Sequence, residues 1–218
     1  MPESLKTAMV VGATGLVGKA LVENLLKEDN YGLIKVYVRK NIFSPHKKLE
    51  VFVVDFDQIQ SWADKIVGDH LYITIGTTLK KAGSKNGQRL IDLDYPHQIS
   101  KVAKQNGVSL VALVSSIGVK KGARGFYLGL KYELEEGIKA LQFDKTLIFR
   151  PSFLDGERQE SRPLEEISRK ILSFFSLFSL FDTFSPVTDQ SVSLSMIHHA
   201  LKVEKGVHVF ENKEIKQF

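Results

Sequence analysis

The chain has 218 residues, 43% of them hydrophobic and 25% charged, and it contains no cysteine. That length suits a single domain with its own core and needs no metal or disulfide to fold, while zero cysteine excludes disulfide frameworks, Cys-ligated zinc, iron–sulfur clusters and thiol nucleophiles. The formal charge of +5, from 30 Lys and Arg against 25 Asp and Glu, is too small an excess to argue for a nucleic-acid partner.

The opening stretch Met1-Pro2-Glu3-Ser4-Leu5-Lys6 leads into a short apolar run that Gly12 interrupts, so it reads as neither signal peptide nor membrane span, and a cytoplasmic location is expected. Ala8-Met9-Val10-Val11 is continuous enough for a strand buried on both faces. Apolar residues then recur at helical spacing from Gly15 to Leu26. Strands are predicted at Leu33–Val38 and Glu50–Val54, a helix at Asp57–Val67, and a strand at Leu71–Ile75. A helix follows at Asp92–Gln105, closed by Asn106-Gly107. Val108–Val114 is a strand, Tyr127–Leu141 a helix, and Thr146–Phe149 a strand closed by Arg150-Pro151. Strand and helix therefore alternate up to residue 150, which predicts an α/β fold, a doubly wound parallel sheet with helices on both faces. The rhythm is lost after 150. Residues 151–218 are expected to be a small elaboration on the substrate side of a single domain, with 6–150 as its core.

Gly12-Ala13-Thr14-Gly15-Leu16-Val17-Gly18 follows the first strand and opens the first helix. Glycines suit a turn in which the backbone must touch a pyrophosphate and the helix must pack close to the strand. The helix N-terminus then offers N–H groups to phosphates. A ligand-free turn is the simpler alternative, but strand before and helix after point to a dinucleotide. NAD binders usually carry an acid at the end of the second strand to hold the ribose 2′-hydroxyl. That position reads Val38-Arg39-Lys40, two bases suited to a 2′-phosphate, so NADP(H) is favoured over NAD. At the end of the third strand, Asp55-Phe56-Asp57 places an acid where it could reach the adenine amino group, and Asp57 could instead cap the next helix.

Tyr127 and Lys131 stand at i and i+4, on one face of a helix. A lysine one turn away lowers a tyrosine pKa, fitting the phenol to exchange a proton with a carbonyl or alcohol near neutral pH. Tyr31 and Lys35 share that spacing, but they sit at a strand entry where their side chains diverge. Tyr127 instead follows Ser115-Ser116, which close the fifth strand, and the carboxyl ends of strands form the site in doubly wound sheets.

The glycine turn, the serine pair and Tyr127/Lys131 together resemble the short-chain dehydrogenase/reductase superfamily in its atypical branch, nearest to the Tat-interacting-protein-like reductases. Further stretches carry the resemblance: Thr74-Ile75-Gly76-Thr77-Thr78 with Lys81-Ala82-Gly83, Asp94-Tyr95, Phe149-Arg150-Pro151 and Arg158-Gln159-Glu160-Ser161-Arg162-Pro163. The resemblance implies a Rossmann-type sheet and NADPH as cofactor. It implies Tyr127 as proton donor and acceptor, Lys131 on the nicotinamide ribose, and Arg39 and Lys40 on the 2′-phosphate. It also implies that Gly76 and Thr77 line the cofactor, that Leu154 and Arg162 fold back over it, and that Ser115 or Ser116 bonds the reacting oxygen, with Ser116 preferred.

Other features carry less. The six histidines show no metal-ligand spacing, so no metal is expected. Lys80, Lys81, Lys85 and Arg89 form a basic stretch without the interleaved aromatics of a single-strand binder. The Phe-rich segment 171–184 is too short to span a bilayer; core or pocket wall is favoured over a membrane or dimer face. The expectation is therefore an NADPH-dependent oxidoreductase acting on a small carbonyl or alcohol, with no nucleic-acid partner, no membrane span and a homodimer allowed. The alternatives are a cofactor-binding redox-sensing regulator and, third, a nucleotide-sugar epimerase or dehydratase.

Overall fold

Ala8, Met9, Val10 and Val11 are all fully buried, and successive side chains of their strand enter two different cores. This follows from the two-residue period of a strand whose faces are both covered. The computed structural model describes residues 4–152, 154–155 and 185–218. Within them, β1 (Lys6–Val11), β2 (Tyr31–Val38), β3 (Leu49–Val53), β4 (His70–Ile73), β5 (Leu110–Val114) and β6 (Lys145–Arg150) all run parallel. Two short strands, β7 (Leu154–Asp155) and β8 (Val187–Thr188), pair with each other, and β9 (Gly206–Glu211) pairs in parallel with β6. The main sheet has the order β3-β2-β1-β4-β5-β6-β9. Strand order therefore reverses direction at β1, between β2 and β4, where open α/β sheets bind their ligands.

One face is covered by α1 (Leu16–Lys27), which buries Val17, Leu21, Val22 and Leu25 against Ala8, Val10 and Tyr72. The other carries a 3-10 segment (Phe56–Lys65), followed in the chain by the short helices α2 (Leu79–Ala82) and α3 (Lys85–Arg89). A π-turn (Leu90–Asp94) runs straight into α4 (Tyr95–Gln105), and α5 (Phe126–Ala140) completes the layer. Its apolar face, Leu130, Leu134 and Ile138, meets Met9, Val111 and Leu113 in the second core. Each fully buried leucine in these layers contributes about 1.5–3 kcal/mol.

Alternation up to residue 150 is thus present as expected, and three local departures have physical causes. The segment after β3 is not a regular helix: Gln58 and Trp62 leave helical backbone geometry, and Trp62 Nε1 instead donates to Asp55 O at 2.9 Å. Its N-cap is Asp55, whose carboxylate accepts from Asp57 N at 2.9 Å, and not Asp57. The basic stretch after β4 is organised as α2 and α3, capped by the hydroxyls of Thr78 and Ser84.

Residues 185–218, the described part of the C-terminal stretch, add to the main sheet and to the first core. The helix α6 (Asp189–Lys202) lies beside α1 in the first core, tied to it by Asn24 Nδ2, which donates to Ser193 Oγ at 2.7 Å and Gln190 Oε1 at 2.9 Å. β9 and the terminal turn α7 (Asn212–Ile215) then close the edge of the main sheet. β9 escapes a sequence search because it is an edge strand, half solvated, and reads Gly-Val-His-Val-Phe-Glu without a continuous apolar run.

At the amino ends of the strands, Tyr31 OH is hydrogen-bonded to Tyr72 OH at 2.6 Å and His70 Nδ1 at 2.7 Å, all three residues being buried. Burial, aided by Lys6 and Lys145 and opposed by Asp69, lowers the His70 pKa from 6.5 to about 4. The folded state binds this proton less readily than the unfolded chain. Stability is therefore intact above the unfolded value and is lost as pH falls from about 6.5 towards about 4. Tm should decline across that window, and His70→Gln should flatten the decline; an unchanged slope would place the acid lability elsewhere.

Candidate functional site

The β1–α1 turn is built by steric necessity. Gly12 has φ +91, a backbone that side chains rarely adopt, and a Cβ there would stand 2.4 Å from Ile75 N. At Gly18 a Cβ would meet Gly12 O at 2.1 Å, so only hydrogen at both positions lets α1 press against the end of β1. Gly15 N donates to Gly12 O at 3.0 Å and closes the turn. Gly15 is the N-cap of α1, no side chain caps it, and no acid lies in the first helical turn. The first amides of α1 and its positive dipole end thus face the crevice. Thr14 and Gly15 are exposed, Leu16 is half-buried, and Val17 and Gly18 belong to the packing side of the turn.

Around this turn stand the carboxyl ends of the neighbouring strands. Thr74 N and Thr74 Oγ1 both donate to Val11 O, at 2.8 and 3.1 Å, which draws the exit of β4 onto the end of β1. Gly76 is exposed and Thr77 half-buried in the loop that follows. Arg39 and Lys40 leave β2 exposed, with no acid between them and the strand. The Asp55 backbone borders the same side, but one carboxylate oxygen is engaged in capping. The Phe56 ring is buried against Trp62 and Tyr95, with centroids at 5.8 and 5.7 Å. The Tyr95 hydroxyl donates to the Asp57 carboxylate; burial first and this bond second push its pKa up to about 12.

The second half of the site lies on α5 and the end of β5. Tyr127 is 40% exposed, whereas Lys131 one turn below is 4% exposed. The Lys131 Nζ lies 5.9 Å from the Tyr127 ring centroid and donates a long bond to Val114 O at 3.5 Å. The ammonium is thus shielded from water and carried under the phenol at the strand end. The decoy pair diverges: Tyr31 is fully buried and Lys35 Nζ donates to Val67 O at 3.0 Å.

The two serines differ in what their hydroxyls do. Ser115 is buried, and its Oγ donates to Glu135 Oε1 at 2.6 Å. Ser116 is half-buried and has only a 3.4 Å contact to Ile117 O. Glu135, fully buried, is gripped by Arg150 through Nε at 3.0 Å and Nη2 at 2.7 Å, and Arg150 Nη1 donates to Glu211 Oε1 at 2.9 Å. Glu135 was not singled out from the sequence, although it continues the i, i+4 ladder of Tyr127 and Lys131. Gln88 and Asp92, buried behind the Gly76–Thr77 loop, were missed as well. Leu154 lies in β7, while Arg162, Arg158 and the Phe-rich segment 171–184 fall outside the described residues. Among the described residues no cluster of His, Asp and Glu could hold a metal, and no helix is long and apolar enough to cross a membrane.

A family model described as NAD(P)H-binding matches residues 12–167. Protein HTATIP2 of Rattus norvegicus is 30% identical over 215 residues, covering 96% of this chain and 88% of its own length. The mitochondrial protein FMP52 of Kluyveromyces lactis is 36% identical over 153 residues, covering 69% of this chain and 68% of its own. Among solved structures, the Bordetella bronchiseptica enzyme WbmG in complex with NAD has a TM-score of 0.71 at 15% identity, across 99% of this chain and 76% of that one. UDP-glucose 4-epimerase of Thermotoga maritima with UDP-glucose has a TM-score of 0.71 at 12% identity, across 94% and 76%. The Rossmann-type sheet and the resemblance to Tat-interacting-protein-like proteins are thereby borne out.

Removing one member of a buried ion pair leaves an uncompensated charge, whereas removing both does not. Arg150→Met should therefore destabilise the protein by about 3–5 kcal/mol, and Glu135→Gln added to it should recover much of the loss, as measured by urea unfolding.

Proposed function

The chain belongs to the NAD(P)H-binding family, and from that premise we propose that it is an NADPH-dependent oxidoreductase acting on a small carbonyl or alcohol. The observation that carries this is Tyr127 over a buried Lys131 that reaches the end of β5, two residues before Ser116, at the carboxyl end of the sheet that also carries the glycine turn. The residues fit a dinucleotide. Gly12 and Gly18 admit only hydrogen, since a methyl would clash with Ile75 N and Gly12 O, and the cradle so formed is the tight turn at which α1 begins with no side-chain cap.

The diphosphate would be held by amides of Thr14, Leu16 and Val17 beside Gly15, whose own N–H closes the turn, and the 2′-phosphate by Arg39 and Lys40. Gly76 and Thr77 would line the nicotinamide half, Asp55 and the Phe56 backbone the adenine half, with Leu154 and Arg162 closing over the cofactor. When bound, NADPH supplies the hydride. The chain's own residues manage the oxygen: Tyr127 donates a proton to it, Ser116 donates a hydrogen bond, and the Lys131 ammonium lies beneath the Tyr127 ring. Ser115 acts behind them, since its hydroxyl is committed to Glu135. The reverse reaction uses the same groups, with the phenolate accepting the alcohol proton.

Preference for NADPH is supported by the two exposed bases directly after β2 and the absence of an acid beside them. The epimerase alternative rests on solved neighbours such as that from Thermotoga maritima, which at 12% identity shares the fold alone. A redox-sensing regulator would keep the cradle and need no Tyr127, so the tyrosine variant separates the two. As to location, fungal relatives are named mitochondrial; subcellular fractionation tests the expected cytoplasmic site against a mitochondrial one.

Tyr127→Phe should leave NADPH binding within about twofold of the parent and reduce turnover by roughly a hundredfold or more, the usual scale of acid–base catalysis. Turnover unaffected by the change would remove Tyr127 from the chemistry. Replacing Arg39 and Lys40 together by Ala should weaken NADPH roughly tenfold or more while leaving NADH nearly unchanged, since only the former carries the extra phosphate. Parallel fluorescence titrations with both nucleotides measure this, and equal losses would reject the assignment of the two bases.

A further inference from the structure

Asp92 is a fully buried carboxylate that the proposed chemistry does not use. It sits in the π-turn Leu90–Asp94, where the chain widens by one residue per hydrogen bond just before α4. Its Oδ1 accepts from Thr77 N at 2.6 Å, and its Oδ2 accepts from Gln88 Nε2 at 3.2 Å. Gln88 Nε2 also reaches Thr77 O at 3.5 Å, so one side chain bonds both the loop and the acid that holds it. A methyl at Gly76 would stand 3.5 Å from Asp92 Oδ1, which shows how closely the loop lies against the carboxylate.

The π-turn packs against α5, the helix that carries the buried Lys131, and Lys131 is the charge that acts on Asp92 most strongly. Burial raises the Asp92 pKa; the Lys131 ammonium opposes that, with help from the Thr77 amide and Gln88. Lys131 needs such a partner. It is 4% exposed, and its bond to Val114 O is long. Glu135, one turn further along α5, is already committed to Arg150 and Ser115.

We propose that Asp92 is a positioning residue, the buried counter-charge of Lys131 that also anchors the Gly76–Thr77 loop, so that cofactor wall and catalytic helix are held in one register. The role assigned to that register rests on the function proposed above; the charge coupling does not. Asp92→Asn keeps an acceptor for Thr77 N and removes the charge, whereas Asp92→Ala removes both, and the two functions therefore come apart.

Two measurements test it. Thermal unfolding of Asp92→Asn, Lys131→Met and the double variant should show non-additive losses, with the double variant melting above Asp92→Asn alone. Additive losses would overturn the counter-charge. If Asp92→Asn does not fold by itself, the double variant should fold, and its failure to do so would overturn the proposal equally. NADPH titration should show Asp92→Ala weakened by roughly tenfold, as expected for losing a charge-assisted hydrogen bond to the loop, and Asp92→Asn much less affected. With a reducible carbonyl, Asp92→Asn should then lose kcat with little change in NADPH affinity. Identical NADPH affinities for parent and Asp92→Ala would overturn the anchor. A parent protein that binds no NADPH would instead defeat the proposed function and leave the unfolding cycle to judge the Asp92–Lys131 coupling.

Discussion

The approach of α1 to β1 is the constraint from which the rest of this structure follows. With hydrogen alone at Gly18, the helix comes within a distance at which any side chain would overlap the Gly12 carbonyl. That contact brings the uncapped start of α1 to the end of the central strand. It also buries Val17, Leu21 and Leu25 against the sheet. A longer separation would weaken both effects together, because the close contact at Gly18 and the uncapped amides lie at the same end of one rigid rod. The topology places this rod at the reversal of strand order, so the loops after β2 and β4 diverge and leave a crevice.

Charge is handled differently on the two halves of the site. Around the glycine turn the charged groups Arg39, Lys40 and Asp55 are exposed, where solvent limits their cost. Under Tyr127 they are buried: Lys131, Glu135 and Asp92, with Arg150 nearly so. Buried charges cost several kcal/mol each unless paired and hydrogen-bonded. Every carboxylate in this set has such partners: Glu135 takes Arg150 and Ser115, and Asp92 takes Thr77 N and Gln88. A polar cluster satisfied to this degree resists rearrangement. The Ser115 hydroxyl belongs to that cluster, its proton directed at Glu135 Oε1.

Much of the core was legible from sequence because its signals are local. Ala8–Val11 is buried on both faces and reads as a continuous apolar run; Gly12–Gly18 joins strand to helix; Tyr127 and Lys131 obey helical spacing. What escaped was set by partners distant in the chain. β9 is a strand because β6 is beside it, not because of its own composition. The segment after β3 departs from a helix because Trp62 bonds Asp55 O. Ser115 and Ser116 cannot be told apart without knowing that Glu135 lies behind one of them. Asp92 resembles any acid ahead of a helix until Thr77 and Lys131 are seen around it. The Phe56 ring, next to Asp55, packs against Trp62 and against Tyr95, which is distant in the chain.

Arg150 joins two carboxylates that belong to different parts of the chain, Glu135 on α5 and Glu211 on the edge strand β9. Register makes Arg150 and Glu211 direct neighbours across β6 and β9. A chain shortened before residue 206 would therefore lose more than an outer strand. Arg150 would keep one carboxylate of its two, and the disturbance would pass through Glu135 to the Ser115 hydroxyl. The far edge of the sheet is in this sense wired to its centre, and a fragment ending at the last obvious strand would carry the site's residues without their full electrostatic support.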